Sequence, residues 1–266
     1  MGDPFQNVDA AGEEFAALFA DAMDTRQAEV TMESVVSTYL SALTFSDETF
    51  TVENGCGAGA VTQRIAEAAA PGRVLGCDIS KRFIATARDR VGHMDNVRLE
   101  ATEGVLPVED ASVDHVVMHT LLTHVPEPAV LVADAVRALK PGGKLVICDM
   151  DFAKGTLTSF PNDPLGMMSD AFIDDYVTDP FITGKLRPMA MQAGLSVDSF
   201  SLVARPVTEG DGMLPWVVAT GKDMVTRGEI GQELADALVA EYQRRRDAGT
   251  LYGFQVVATL VATKPG

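Results

Sequence analysis

Gly55, Gly57 and Gly59 fall at alternate positions in Thr51-Val52-Glu53-Asn54-Gly55-Cys56-Gly57-Ala58-Gly59-Ala60, and Asp78 closes the next apolar run, Arg73-Val74-Leu75-Gly76-Cys77-Asp78. That combination is suited to binding a nucleotide. Residues without a Cβ let backbone approach a ligand closely, and a carboxylate about 20 residues further on can accept both hydroxyls of a ribose. The glycine triplet alone is a weak signal, because tight turns also produce it, and its GxGxG spacing is not the GxGxxG of the dinucleotide fingerprint. Context strengthens it: Thr51 and Val52 suit a strand, and Val61 to Ala69 carries helix formers that stop at Pro71-Gly72.

The other residues able to do chemistry cluster later. Val113 to His119 reads as a strand, followed by Thr120 to Pro128. In a doubly wound sheet, ligands lie beyond the carboxyl ends of the strands, so His119, Thr120 and the loop after them are expected to face the reaction. His124 invites two readings, a general base with a suitable unperturbed pKa or an anchor that holds its loop by a ring hydrogen bond to backbone. Tyr39 is a core residue or a site residue whose hydroxyl needs a partner. Asp149 and Asp151 could meet substrate polar groups or be solvated chain-end acids. With four histidines, none spaced as a ligand pair, no metal is expected. Cys56, Cys77 and Cys148 are odd in number and form no CxxC, which points to buried, reduced thiols.

Glu53-Asn54-Gly55-Cys56-Gly57-Ala58-Gly59, Gly76-Cys77-Asp78-Ile79-Ser80, and the stretch from Leu106-Pro107 to Leu139-Lys140-Pro141-Gly142-Gly143 resemble successive motifs of the class I S-adenosylmethionine-dependent methyltransferases. This broad family includes ubiquinone-type and many small-molecule methyltransferases, and the resemblance covers roughly residues 50–151. It implies S-adenosyl-L-methionine as cofactor, with Glu53, Gly55, Cys56, Gly57, Gly59, Asp78, Ile79 and His119 in its binding site. The family's adenine-binding acid aligns with Thr102, a departure. Thr102 and Glu103 are expected to frame the adenine jointly, Glu103 being otherwise a solvated loop acid. His119 and His124 are the catalytic candidates, and Tyr39, Met168 and Phe172 the candidate substrate contacts.

The fold expected is α/β, a Rossmann-like doubly wound sheet of seven strands, mostly parallel with one antiparallel strand. Met1 to Ala11 reads as polar and irregular. Apolar residues at helical spacing predict helices over Glu13 to Met23 and Gln27 to Leu43, and the resemblance implies that residues 1–45 cap the cofactor. A cofactor-binding core over 46–151 ends with a strand from Lys144 to Asp149. A helical insertion over 152–195, with helices at Leu165 to Val177 and Lys185 to Ala193, is expected as a lid. Its methionines and phenylalanines either line a substrate pocket or fill a core of their own. Residues 196–266 hold the last strands and two helices, with Trp216 able to fold over the pocket and Arg244-Arg245-Arg246 read as a solvated face. The four segments are expected to form one domain.

Across 266 residues, 47% hydrophobic content is enough for a large core, and a net charge of -17 argues against a nucleic acid or an anionic membrane as partner. A small molecule, apolar or aromatic and possibly a secondary metabolite, is the expected acceptor, with a homodimer possible. No leader and no apolar span long enough for a bilayer is visible, which makes the cytoplasm the expectation. Three activities fit in different degree: methyl transfer, binding of the same cofactor without transfer, and nicotinamide-dependent oxidoreduction. The GxGxG spacing disfavours the third.

Overall fold

The computed structural model describes residues 2–266. Seven strands form one sheet in the order β3-β2-β1-β4-β5-β7-β6. They are β1 (Phe50–Asn54), β2 (Arg73–Asp78), β3 (Val97–Ala101), β4 (Val113–His119), β5 (Leu139–Thr156), β6 (Ser196–Val207) and β7 (Gly253–Thr263). The first five run parallel, and β7 lies antiparallel between β5 and β6. Chain order reverses between β1 and β4, so the crevice beyond their carboxyl ends is the place this topology opens for a ligand.

Both faces are covered. In β4, Val116 and Met118 pack with one apolar cluster and Val117 with the other, the alternation a pleated strand imposes. The cluster that holds Val117 includes residues of α2 (Glu13–Gln27), α3 (Val30–Ser41), α4 (Ala60–Ala69), α7 (Pro164–Tyr176) and α9 (Leu214–Thr226). The second sits under α6 (Pro128–Ala138) and α8 (Ile182–Gln192). Two further helices, α5 (Lys81–Val91) and α10 (Gln232–Asp247), complete the layers, and Ser80 caps α5 by accepting from Phe83 N. No described helix is long and apolar enough to cross a membrane.

Three expectations need correction. The start of the chain is ordered rather than irregular: a 3₁₀ turn over Pro4–Asn7 leads into α1 (Val8–Ala11), while Met1 lies outside the described residues. Side chains made this possible, since Asp3 accepts from Phe5 N, Asn7 accepts from Ala10 N, and Val8 is buried. The fifth strand does not stop at Asp149 but runs to Thr156, because β7 supplies a ladder partner there, with Asp151 opposite Val256 and Thr156 opposite Phe254. The arginine run is not a solvated face throughout. Arg245 is buried and forks onto Asp163 at 2.7 and 2.9 Å, tying α10 to the start of α7. The three cysteines are free and buried.

Candidate functional site

Between β1 and α4 the chain reverses through Gly55, Gly57 and Gly59, at φ of +75°, +52° and +85°, a region where side chains are strained. Gly55 N and Cys56 N both donate to Cys77 O at 2.8 Å, which binds the turn to the end of β2. Gly57 N donates to Asp78 Oδ2 and Ser80 N to Asp78 Oδ1, each at 2.8 Å. Asp78 is therefore the clasp of the glycine turn. Burial raises its pKa, and the backbone N–H groups of Ser80 and Gly57 work against that rise. Each carboxylate oxygen keeps lone-pair capacity for a further donor. A Cβ on Gly57 would stand 2.9 Å from Met23 Sδ. Gly59 does something else: a Cβ there would meet Ala87 Cβ at 3.1 Å, so this glycine lets α4 pack on α5 and does not line the cavity.

A cavity of about 340 Å³ follows from this turn. At one end stand Asp78, Ile79 and Gly104, with Ile79 47% exposed as an apolar wall. Thr102 and Glu103, expected to frame an adenine, do not line it; Thr102 Oγ1 accepts from Gly104 N at 3.4 Å and is turned onto its own loop. Gly55, Cys56 and Gly57 form the middle. At the far end lie Glu53, Asn54, Gln27 and His119. Glu53 is buried, accepts the Thr62 hydroxyl at 2.5 Å, and is pushed by burial up to about 8. Four neighbouring side chains keep buried polar atoms without a partner among the described residues: Asn54 Nδ2, both amide atoms of Gln27, His119 Nε2 and Thr120 Oγ1. A cluster of orphaned polar atoms on one cavity wall is what a polar ligand leaves behind when it is absent.

His119 is held from behind. Its Nδ1 lies 3.2 Å from the Tyr39 hydroxyl, and both residues are buried. Burial, followed by the nearby Arg26 charge, pushes the ring down to about 3, so it is neutral near pH 7. Burial pushes the Tyr39 phenol far up, so it keeps its proton. Donation from that phenol to Nδ1 leaves no hydroxyl hydrogen stranded, and it puts the ring proton on Nε2. Tyr39, expected as a substrate contact, lines neither this cavity nor its neighbour and touches the site only through His119.

A second cavity, of about 80 Å³, adjoins the first, and Phe5, Met23, Arg26, Thr120 and His124 line both. Its walls are aromatic. Phe172 and Trp216 stack at 4.5 Å between centroids, and Phe152 stacks on Trp216 at 5.6 Å. Phe172 and Trp216 both line this cavity. Met168 does not: it is fully buried in the core, with its Cε beside Gly221. His124 Nδ1 lies 2.8 Å from Asp3 Oδ2, which also accepts from Thr178 N and Oγ1 at 3.1 and 2.9 Å. It pins the N-terminal turn to the segment after α7, an anchor to a side chain and not to backbone. Asp149 is buried and accepts from Met150 N at 2.8 Å and Thr123 N at 3.2 Å, so it shapes the turn after β4 and touches neither solvent nor cavity.

Sequence reasoning missed Arg26, Gln27 and Phe19. A signal existed for Arg26: with Phe19 and Met23 it falls at i, i+4, i+7 on one face of α2, which places a cation on an apolar stripe.

Residues 52–147 match the methyltransferase domain family. The demethylmenaquinone methyltransferase of Tropheryma whipplei (strain Twist) is 37% identical over 106 residues, 40% of this chain and 44% of that protein. The chain spans about half the length of the curated relatives it matches, 52% and 44% for two of them. Among solved structures, phosphoethanolamine N-methyltransferase 2 of Haemonchus contortus, in complex with phosphomonomethylethanolamine and S-adenosylhomocysteine, superposes with a TM-score of 0.63 at 16% identity, covering 98% of this chain and 59% of that one. The [4+2]-cyclase SpnF superposes at 0.61 with 17% identity, covering 100% and 97%. Identities that low establish the fold alone. Residues 52–147 thus carry a methyltransferase domain, and the strand order and the glycine turn clasped by Asp78 agree with the class I S-adenosylmethionine-dependent methyltransferases.

Proposed function

We propose that the protein binds S-adenosyl-L-methionine in the larger cavity and transfers its methyl group to a small-molecule acceptor in the aromatic one. One observation carries this reading: an acid suited to a ribose stands at one end of the larger cavity and unsatisfied amide and imidazole groups stand at the other. Asp78 would hold the ribose hydroxyls. Asn54 Nδ2, Gln27 Nε2 and His119 Nε2 are donors for a carboxylate, and Gln27 Oε1 with Glu53 are acceptors for an ammonium, together the complement of an amino-acid zwitterion. Ile79 and Gly104 would flank the adenine, with the Thr102 and Glu103 side chains outside its contact.

The bound cofactor supplies an electrophilic sulfonium methyl group. What the chain contributes is position and dryness. The aromatic cluster and the N-terminal turn, pinned by Asp3 to His124, keep water from the acceptor, and fixed placement of an acceptor can supply most of a displacement's rate enhancement. His119, neutral and pushed down to about 3, is a hydrogen-bond donor here and a poor base. An acceptor that arrives as an anion, or as a free amine, suits such a site. The strongly acidic surface disfavours nucleic acid as acceptor.

A second reading, a protein that holds the cofactor without transferring methyl, gains support from the cyclase of the same fold. Calorimetry with S-adenosylmethionine and NAD, followed by transfer of a labelled methyl group to a panel of small acceptors, separates the possibilities. Binding of S-adenosylmethionine with label transfer is expected. Binding without transfer to any acceptor class favours the second reading, and binding of NAD alone removes both.

A further inference from the structure

Arg26 lines both cavities, and its Nε is buried with no hydrogen-bond partner among the described residues. Its neighbour Arg205 differs. Arg205 Nε and an Nη lie 2.6 and 2.5 Å from the Glu29 carboxylate, and its other Nη meets Gln255. No carboxylate among the described residues stands within ion-pair distance of Arg26, and Glu29 and Asp149 act on it only from further away, although the chain carries a net charge of -17. Burial and the repulsion of Arg205 pull the Arg26 guanidinium down to about 10, which still leaves it charged near neutral pH. A half-buried cation whose Nε is sealed from water and unpaired carries a desolvation cost, and an anion brought by a ligand offsets it.

Two ligands could bring one, the cofactor through its methionyl carboxylate or the methyl acceptor. The layout favours the acceptor. Gln27, Asn54 and His119 line only the larger cavity and offer the cofactor three unsatisfied donors without Arg26. Arg205, the second positive group, lines only the aromatic cavity. Arg205 is already paired with Glu29, which leaves Arg26 as the cation with an open fork on the acceptor side. A space of about 80 Å³, against the ~10–15 Å³ that one water needs, takes a small acid or the head of a larger one.

We propose that Arg26 is the anion subsite of the acceptor: the methyl acceptor is an aromatic or otherwise apolar carboxylic acid, its carboxylate forked on the Arg26 guanidinium and its apolar body against Trp216 and Phe172. This rests on the methyltransferase reading. It requires no proton from the acid, which arrives ionised, and it predicts selectivity for acids over their neutral amides.

The test is calorimetry on the full chain, in which benzoate and phenylacetate are titrated into protein saturated with S-adenosylhomocysteine, with benzamide and phenylacetamide as neutral counterparts. The acids are expected to bind at least tenfold tighter than the amides. Arg26→Gln should erase that preference while changing S-adenosylhomocysteine affinity less than about threefold, and Arg26→Lys should keep part of it. In the ligand-free protein, Arg26→Met should raise the melting midpoint by removing an unpaired, half-buried charge. Equal binding of acids and amides, no binding of either acid, a tenfold loss of S-adenosylhomocysteine affinity in Arg26→Gln, or a lowered midpoint in Arg26→Met each overturns the proposal. Should wild-type protein fail to bind S-adenosylhomocysteine at all, the cofactor reading falls, and the same acid and amide titrations on the ligand-free protein still decide the role of Arg26.

Discussion

The two cavities are built in opposite ways. The larger one takes its middle and part of both ends from a short continuous stretch, Glu53 to Ile79, in which a glycine turn is clasped by a carboxylate one strand away. The smaller one is assembled from α2, β5, α7 and α9, elements far apart in sequence whose aromatic rings meet only after the chain has folded. The first is held by hydrogen bonds from backbone, which fix geometry tightly and tolerate little change. The second is held by stacked side chains, which fix volume and leave the chemistry of the occupant to a few polar groups such as Arg26. A site divided in this way can keep one cofactor constant while its acceptor half varies.

The largest expected effect strikes the second region. Trp216 is 7% exposed and stacks on both Phe172 and Phe152, so Trp216→Ala should cost about 3–5 kcal/mol of stability, read by denaturant unfolding. Acceptor turnover should collapse with it. Cofactor affinity of the folded variant, measured by calorimetry, should stay within about twofold, because Trp216 does not line the larger cavity. A large loss of cofactor affinity would mean that the cavities are one cooperative unit.

Asp78→Ala strikes the first region. It removes an acceptor for Gly57 N and Ser80 N as well as the proposed ribose contact, so cofactor affinity should fall by about 2–3 kcal/mol, roughly 30- to 150-fold. Some stability should go too, since the glycine turn loses its clasp. Binding of an aromatic acid to the second cavity should survive in the ligand-free variant. Unchanged cofactor affinity in a folded Asp78→Ala protein would sink the ribose assignment and, with it, the distinction between the two halves.

That contrast also explains what could be read in advance. Strand and helix alternation, the glycine turn and Asp78 are local patterns, so the sheet and one end of the site were legible in the sequence. That Gly104, and not Thr102 or Glu103, lines the cavity had no local signature, because which residue of a loop faces a cavity depends on how the loop turns, here with Gly104 at φ +92°. Met168 and Phe172 differ for another reason: apolar residues of an amphipathic helix look alike in sequence, and packing against the neighbouring helix α9 puts Met168 in the core while Phe172, one turn on, reaches the cavity. Arg245 looked solvated because its partner, Asp163, lies 82 residues away. Such pairings have no local signature.

The smallest expected effect concerns the contact where the two kinds of construction meet, the long-range bond from Tyr39 to His119 beside the orphaned atoms of the cofactor cavity. Tyr39→Phe leaves His119 Nδ1 buried without its donor and should cost about 1 kcal/mol of stability. It should weaken the cofactor only slightly, because Nε2 keeps its place but loses its fixed tautomer. The pH dependence supplies the sharper reading. The folded ring is held at about 3 against an ordinary value of 6.5, a depressed base, so its neutral state contributes stability that is present above pH 6.5 and is lost as pH falls toward 3. Glu53 and Asp149, pushed up to about 8 and about 6, run the other way and gain stability as pH falls, so the whole curve mixes both signs. The difference between wild type and His119→Gln isolates the ring: the glutamine variant should lose less stability than wild type between pH 6.5 and 4, and methyl-transfer rates of wild type should show no inflection from His119 between pH 6 and 8. An inflection near 6.5 that vanishes in His119→Gln would make this histidine a titrating base in the cavity, and the dry, backbone-built half of the site would then be more open to water than its burial implies.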